Sequence, residues 1–407
     1  MDDTDTVPHF DLDLTQPDPI PASGIARAVE LMESGRLFRY GETAPGTLGD
    51  AAQLEQRFAQ MLGRKYAIAV NSCGAALFLA LRSSGVRAGD QVLVNGYTLA
   101  PVPGAIDHAG ATPVLVEVTE NCTIDTTDLE RRASESGAKA LLLSHMRGHV
   151  SNMDEVVRVC NRYGITLIED CAHTLGASWD GRASGTFGTA ACFSLQTFKH
   201  INAGEGGIIV TDDDELAVRA ILNSGSYMLY GQHAARPSEE AFEPLRGKVP
   251  NYSLRLSATA AAVALPQLDL LEERGKRMNA SYQLLETLLK DVEGLRIMQR
   301  DPREGYIGSS FQFCLPEMEA ADIGNFLATC LEHGLGIKWF GQERMEGFTS
   351  RPSQWEYVDE RMLLSQTEAL LSTLCDMRIP PAMTEHHCHQ AAHIITHAIQ
   401  SVRSATG

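Results

Sequence analysis

The sequence predicts an α/β fold: a large domain with a mainly parallel sheet between helices, then a smaller C-terminal α/β domain. The first reason is alternation. Seven short apolar runs, at 66–70, 91–95, 112–118, 140–145, 165–169, 190–195 and 206–211, are separated by helical patterns. That order calls for a sheet covered on both faces, with right-handed crossovers between parallel strands. The second reason is size. A chain of 407 residues, 44% hydrophobic and 21% charged, can bury one large and one smaller core.

Residues 1–24 open the chain as an acidic, proline-punctuated arm, expected to lie loose or drape over a partner subunit. The arm lacks the basic start and apolar middle of a signal peptide, and no run approaches a membrane span. A cytoplasmic location is therefore expected. Helical patterning begins near Ile25 and returns from Ala51 to Leu62, so the large domain is assigned to 25–255. The runs at 190–195 and 206–211 lie close enough to be an antiparallel exception in the sheet. The weakly patterned stretch 226–250, with Tyr227, Tyr230, His233 and three prolines, reads as a long loop for substrate or dimer contact. Residues 256–407 are assigned to a bridging helix (257–292) and the small domain. There, strands are expected near 309–315 and 335–340, and helices near 320–333 and 360–374.

Three segments carry chemistry. In FSLQTFKHINAGEGG, Lys199 follows the 190–195 strand and precedes a glycine turn into the next. A lysine fixed at a sheet edge and desolvated there becomes a neutral amine able to form a Schiff base with a carbonyl. In ITLIEDCAHTLG, Asp170 ends a buried strand, where open α/β sheets bind ligands, and His173 follows three residues on. Pyridoxal phosphate needs an anion at its ring nitrogen, and Asp170 suits that role, with His173 placed near the ring or its 3-oxygen. Asn71-Ser72-Cys73-Gly74 leads the 66–70 strand into an apolar helix. Its small residues either admit a phosphate to the helix N-terminus or only cap the helix. Ser194 offers a second phosphate hydroxyl. Arg147, just past a strand end, pairs either with a substrate carboxylate or phosphate or with a structural acid.

These segments, with Asn251-Tyr-Ser-Leu-Arg-Leu and Ala264-Leu-Pro-Gln-Leu268, resemble the DegT/StrS-type sugar and cyclitol aminotransferases, pyridoxal-phosphate enzymes of fold type I. The likeness runs from about Leu54 to the C-terminus. It implies Lys199 as the Schiff-base lysine, Asp170 as the ring-nitrogen partner, His173 near the 3-oxygen and Ser194 at the phosphate. It also implies that Asn251 reaches the phosphate of a neighbouring subunit, making a homodimer with shared active sites. Two departures stand out. Ser72-Cys73-Gly74 replaces the usual Ser-Gly-Thr, and Leu99 stands where an aromatic residue commonly covers the ring. Either Leu99 packs on the ring or Tyr97 takes that place; Tyr97, Arg147 and Tyr227 are the candidate substrate contacts. The expected reaction moves an amino group from glutamate or glutamine to a keto-sugar or keto-cyclitol in specialised, antibiotic-type biosynthesis. The competing readings are a pyridoxal-phosphate dehydratase or lyase, whose members tend to replace the lysine by histidine, and a non-catalytic regulatory protein.

The formal net charge of −18 argues against nucleic acid and anionic membranes as partners. Nine cysteines without a C-x-x-C pair suit free thiols in a reducing compartment. His386, His389, His393 and His397 fall at helical spacing and are read as lining one helix face, so no metal site is expected.

Overall fold

A computed structural model describes residues 7–41, 47–225, 227–345, 349–358 and 364–406. All seven expected runs are strands, with ends shifted by no more than two residues. They are β1 (Tyr66–Val70), β2 (Gln91–Asn95), β3 (Thr112–Val116), β4 (Ala140–Ser144), β5 (Thr166–Asp170), β8 (Ala190–Ser194) and β9 (Gly207–Thr211). The short strands β6 (Ser178–Trp179) and β7 (Arg182–Ala183) lie between β5 and β8. The large sheet has the order β1-β9-β8-β5-β4-β2-β3. Only β9 runs against its neighbours, pairing antiparallel with both β8 and β1. Period-2 alternation explains why both faces are apolar. Ile68, Val94, Leu142, Ile168 and Ile209 enter one buried cluster, while Ala67, Phe193, Ile208 and Val210 enter another on the opposite face.

The helices α1 (Ala22–Ser34), α2 (Asp50–Leu62) and α3 (Cys73–Ser83) sit at the start of this unit. From Ala76 to Leu81 every residue of α3 is buried, as its apolar sequence demands. A buried ionic knot ties the region together. Arg39 grips Glu55 through two contacts of 2.9 and 2.8 Å, and Glu55 also accepts the Ala69 N–H of β1 at 2.7 Å. His233, from the loop expected to serve substrate or a partner, closes this knot at 3.1 Å from Arg39 and 3.0 Å from the Tyr40 hydroxyl. The loop therefore folds inward at this point, and Tyr230 stacks on Phe242 beside it.

The segment proposed as small domain carries β10 (Arg296–Ile297), β12 (Ser310–Cys314), β13 (Lys338–Trp339) and β14 (Leu374–Arg378), antiparallel in the order β10-β12-β14-β13. Its β11 (Glu304–Gly305) instead joins β6 and β7. The bridging segment is helical as expected but broken. Helix Ala258–Ala264 passes through a 3₁₀ stretch, Leu265–Leu270, before Leu271–Leu289. Pro266, which lacks an N–H and fixes φ, sits at that break.

Two expectations are corrected. A helix was expected through 360–374, but it spans only Ser365–Leu371, and Leu374–Arg378 is the central strand of the small sheet. Residues 360–363 of that expectation lie outside the described residues. The N-terminal arm was expected to lie loose or on a partner; residues 7–20 instead dock on their own chain. Phe10 is buried and donates its N–H to His333 O at 2.8 Å, and Asp18 pairs with Arg274 and Arg277 at 3.0 and 3.2 Å. An apolar anchor and an ion pair outweigh the arm's own lack of pattern.

Burial raises the Glu55 carboxyl, but Arg39 and His233 outweigh it and hold Glu55 at about 2. Glu55→Gln should cost about 3–5 kcal/mol in urea unfolding at pH 7, because it leaves Arg39 buried without its counter-charge. A depressed carboxylate stabilises above its unfolded pKa of about 4.3 and loses that contribution as pH falls towards about 2. The gap between wild type and variant should therefore narrow below about pH 4.

Candidate active site

The parallel strands β4, β5 and β8 end at one edge, and three of the site groups come from those ends. Ser144 and Asp170 are partners in the β4–β5 register, so their side chains emerge together. Ser144 Oγ donates to Asp170 Oδ2 at 2.9 Å, and Ala172 N–H donates to Oδ1 at 3.1 Å. Burial raises the Asp170 pKa, and these two donors and Lys199 only partly offset it. An anion so placed gains most from a cation set against it. The preceding carboxylate, Glu169, faces the other way. It accepts N–H groups from Gly185, Phe187 and Gly188 at 3.0, 2.8 and 2.7 Å, so it anchors the following loop. Glu169 also lies near His145 and Cys171, but its oxygens are already taken by those donors.

Lys199 sits in the turn between β8 and β9. Backbone bonds from Thr197 to Gly204 and from Ala203 to Leu195 close that turn at 3.0 and 2.8 Å. Its Nζ shares a hydrogen bond of 2.8 Å with Nε2 of buried His173. Desolvation lowers the lysine to about 7, Arg147 pushes it further down, and Asp170 pulls it up. His173 is held well below the usual histidine range by burial and then by Lys199, so it stays neutral. The result is an amine that is half neutral near physiological pH, beside a buried carboxylate and a neutral imidazole.

At the other end of the site Ser72 caps α3, its Oγ accepting Ala75 N–H at 3.0 Å. Gly207 of β9 lies directly against this turn: a Cβ there would stand 2.3 Å from Ser72 O. Only glycine lets the Ser72–Cys73 backbone settle on the sheet edge. Gly207 also pairs with Ser194 on one side and Val70 on the other, which brings Ser194 into the same row. The half-buried Cys73 thiol is pushed up by desolvation and by Asp170, which places it near the carboxylate.

The structure thus brings Ser72, Cys73, Gly74, Asp170, His173, Ser194, Lys199 and Arg147 to one edge. Tyr97 stands within electrostatic reach of Arg147 and Asp376, and the remaining candidates make other contacts. Tyr97 is buried edge-on to Phe340 at 5.2 Å, while half-buried Leu99 packs beside that cluster and keeps some exposed surface. Tyr227 bonds through its hydroxyl to Val249 O. Asn251 Nδ2 donates to Gly225 O at 2.7 Å. Sequence reasoning missed Ser144, although ALLLS ends as ITLIED does, and it missed Arg378 because β14 was not foreseen. The N-terminal arm also enters the site: Leu14 to Asp18 line a cleft with His173, Lys199 and Arg378.

A lysine poised near neutrality on a hairpin, within electrostatic reach of a carboxylate at the end of a parallel sheet, is the arrangement of the fold type I class of pyridoxal-phosphate enzymes. Comparison with known proteins agrees. Residues 23–396 match the model of the DegT/DnrJ/EryC1/StrS aminotransferase family. The chain is 33% identical to the L-glutamine:2-deoxy-scyllo-inosose aminotransferase of Streptomyces paromomycinus, over 68% of this chain and 65% of that protein. It is 33% identical to the spore coat polysaccharide biosynthesis protein SpsC of Bacillus subtilis, over 67% of each. It is 34% identical to the GDP-perosamine synthase of Caulobacter vibrioides, over 54% of this chain and 57% of that one. The matches thus span 57 to 67% of these relatives' lengths. The solved structure of 3-amino-5-hydroxybenzoic acid synthase superposes with a TM-score of 0.80 at 24% identity, covering 97% of this chain and 100% of that one. Helicobacter pylori PseC gives 0.80 at 17%, with the same coverage. This chain belongs to the DegT/DnrJ/EryC1/StrS aminotransferase family, and pyridoxal phosphate is the cofactor that membership indicates.

The lowered Lys199 pKa has a measurable consequence. Cofactor-free protein mixed with pyridoxal phosphate in a stopped-flow absorbance experiment should bind it covalently faster as pH rises, about tenfold per unit below 7. The rate should level off above about 7. A rate still climbing at pH 9 would identify an ordinary lysine.

Proposed function

We propose that the chain is an aminotransferase that moves an amino group from glutamate or glutamine to a keto-sugar or keto-cyclitol in specialised metabolism. The carrying observation is the pairing of Lys199 and Asp170. A lysine held at about 7, in hydrogen-bond contact with neutral His173, lies close enough to Asp170 for the two charges to interact. The fit to the cofactor rests on three features: a desolvated amine, a buried carboxylate without a cation, and a helix N-terminus cradled by Gly207.

When bound, pyridoxal phosphate supplies an electron sink for the bonds to the substrate's amino-bearing carbon. Asp170, oriented by Ser144, would hold the ring nitrogen in its protonated form. The Ser72 turn and Ser194 would hold the phosphate. His173 would face the 3-oxygen and, at 2.8 Å from Nζ, orients Lys199. Lys199, poised near neutrality, would be the base that takes the proton from Cα of the amino donor and the acid that returns it. Half-buried Leu99, with Tyr97 committed to the core, is the side chain available to cover the ring.

A homodimer is supported by an unpaired apolar stripe. Ile25, Val29 and Met32 on α1 are 53, 41 and 57% exposed at i, i+4, i+7 spacing, with Leu37 and Phe38 exposed beyond them. Asn251 is exposed, where it can reach the phosphate of the other subunit as the family likeness implies. Among the described residues no helix is long and apolar enough to cross a membrane. Nine free thiols, eight of them buried, support a reducing, cytoplasmic setting. Against a dehydratase, the lysine is present and poised.

Absorbance tests the proposal. The cofactor band of the holoenzyme should bleach with glutamine or glutamate and return with a keto-cyclitol or keto-sugar. A band indifferent to every amino donor refutes it. Lys199→Arg should retain cofactor by its phosphate contacts, lose the covalent attachment and lose at least about 10²-fold in turnover. Asp170→Asn should fold normally yet slow the bleaching step by a similar factor; unchanged kinetics would assign the ring proton to another group.

A further inference from the structure

One face of the small sheet gathers more positive charge beside Lys199 than its own acids can balance. Strand β14 alternates. Cys375 and Met377 point into the apolar core, so Asp376 and Arg378 point to the other face. Asp376 pairs in register with Lys338 of β13. Arg147 reaches the same place from beyond β4, on a backbone with φ of 54°, a left-handed conformation costly for a branched side chain. Arg147 is 7% exposed. Its Nη2 lies 3.2 Å from Asp376 Oδ2 but not in the alignment of a hydrogen bond, and Nε and Nη2 have no hydrogen-bond partner. Meanwhile Asp376 Oδ1 accepts Gln312 Nε2 at 2.6 Å. Arg378 lies over the ring of Phe198, next to Lys199, with its Cζ 4.1 Å from the ring centre, and lines the cleft that holds Lys199 and His173.

Three cations therefore share one carboxylate. Burial first, and Arg147 next, lowers the pKa of Lys338, Arg378 and Lys199 alike, with Arg378 brought to about 10. Arg39 aligns both its amino groups on Glu55 and leaves only Nε unpartnered, whereas Arg147 leaves Nε and the Nη2 nearest its acid unpartnered. We propose that Arg147 and Arg378, with Lys338, form a subsite for a carboxylate of the substrate, held at the distal side of Lys199. A guanidinium fork matches the two coplanar oxygens of a carboxylate. The identity of the ligand as a substrate rests on the aminotransferase reading; the binding itself does not.

Calorimetry on the holoenzyme with glutarate and its neutral isostere glutaramide tests the subsite without turnover. Wild type should bind glutarate about ten- to a hundredfold more tightly, and Arg378→Gln and Arg147→Met should each lose most of that preference. Arg378 is half-exposed, so its variant keeps the test open if Arg147→Met fails to fold; retained cofactor absorbance and thermal midpoint certify each protein. Equal binding of the two ligands by wild type, or an unchanged preference in a folded Arg378→Gln, overturns the subsite. Donor kinetics then locate the carboxylate. If it is the donor's, the KM for glutamine should rise by a similar factor in Arg378→Gln with kcat nearly kept, and glutaminamide should be insensitive. If glutamine kinetics are unmoved while the glutarate preference is lost, the carboxylate belongs to the keto acceptor. A protein that binds glutarate yet transfers no amino group keeps the subsite and removes the aminotransferase reading.

Discussion

The reversal of a single strand, β9, holds the proposed site together. Because β9 runs against β8, the chain must turn back within a few residues at the ligand-bearing edge, and Lys199 sits in that turn. Because β9 then pairs with β1, it carries Gly207 against the Ser72 turn at the start of α3. A crossover helix in place of this hairpin would have carried the lysine to the far side of the sheet. The same pairing therefore sets both ends of the proposed site: amine at one side, helix N-terminus at the other.

Within that frame, electrostatics are decided by burial. Lys199 is desolvated by the walls of its cleft, and Arg147 adds to the effect. Asp170 is desolvated too, which raises it, and its two hydrogen-bond donors fall short of restoring it. Each group is thus held away from its ordinary state in the direction that suits a ligand carrying a carbonyl and a protonatable ring. Glu169, one residue earlier, shows the contrast. With three backbone donors and His145 around it, it is lowered despite equal burial, and it serves the loop.

The charged groups away from the cofactor edge fall into two kinds. Arg39, Glu55 and His233 hold one another through aligned hydrogen bonds, with only Arg39 Nε unpartnered, and join α2, β1 and a distant loop, so their burial organises the fold. Arg147 meets Asp376 out of alignment and leaves Nε and Nη2 unpartnered. That difference sets the proposed carboxylate subsite apart from the structural knot.

Much of this was legible in the chain itself. Strand runs of five residues between helices gave the α/β order and, through the rule that ligands gather at strand ends, placed Asp170, His173 and Lys199 together. Local spacing suffices there because a hairpin and a strand end are short-range objects. Tertiary structure alone decided the rest. LCDMR is too short for its alternation to be told from a helix end, and it becomes a strand only because β12 and β13 flank it. The docking of Phe10 beside His333, the withdrawal of Tyr97 against Phe340 and the convergence of Arg147 on Asp376 join residues more than 200 positions apart. No periodicity records such contacts, since they depend on how whole layers pack and not on what each segment prefers.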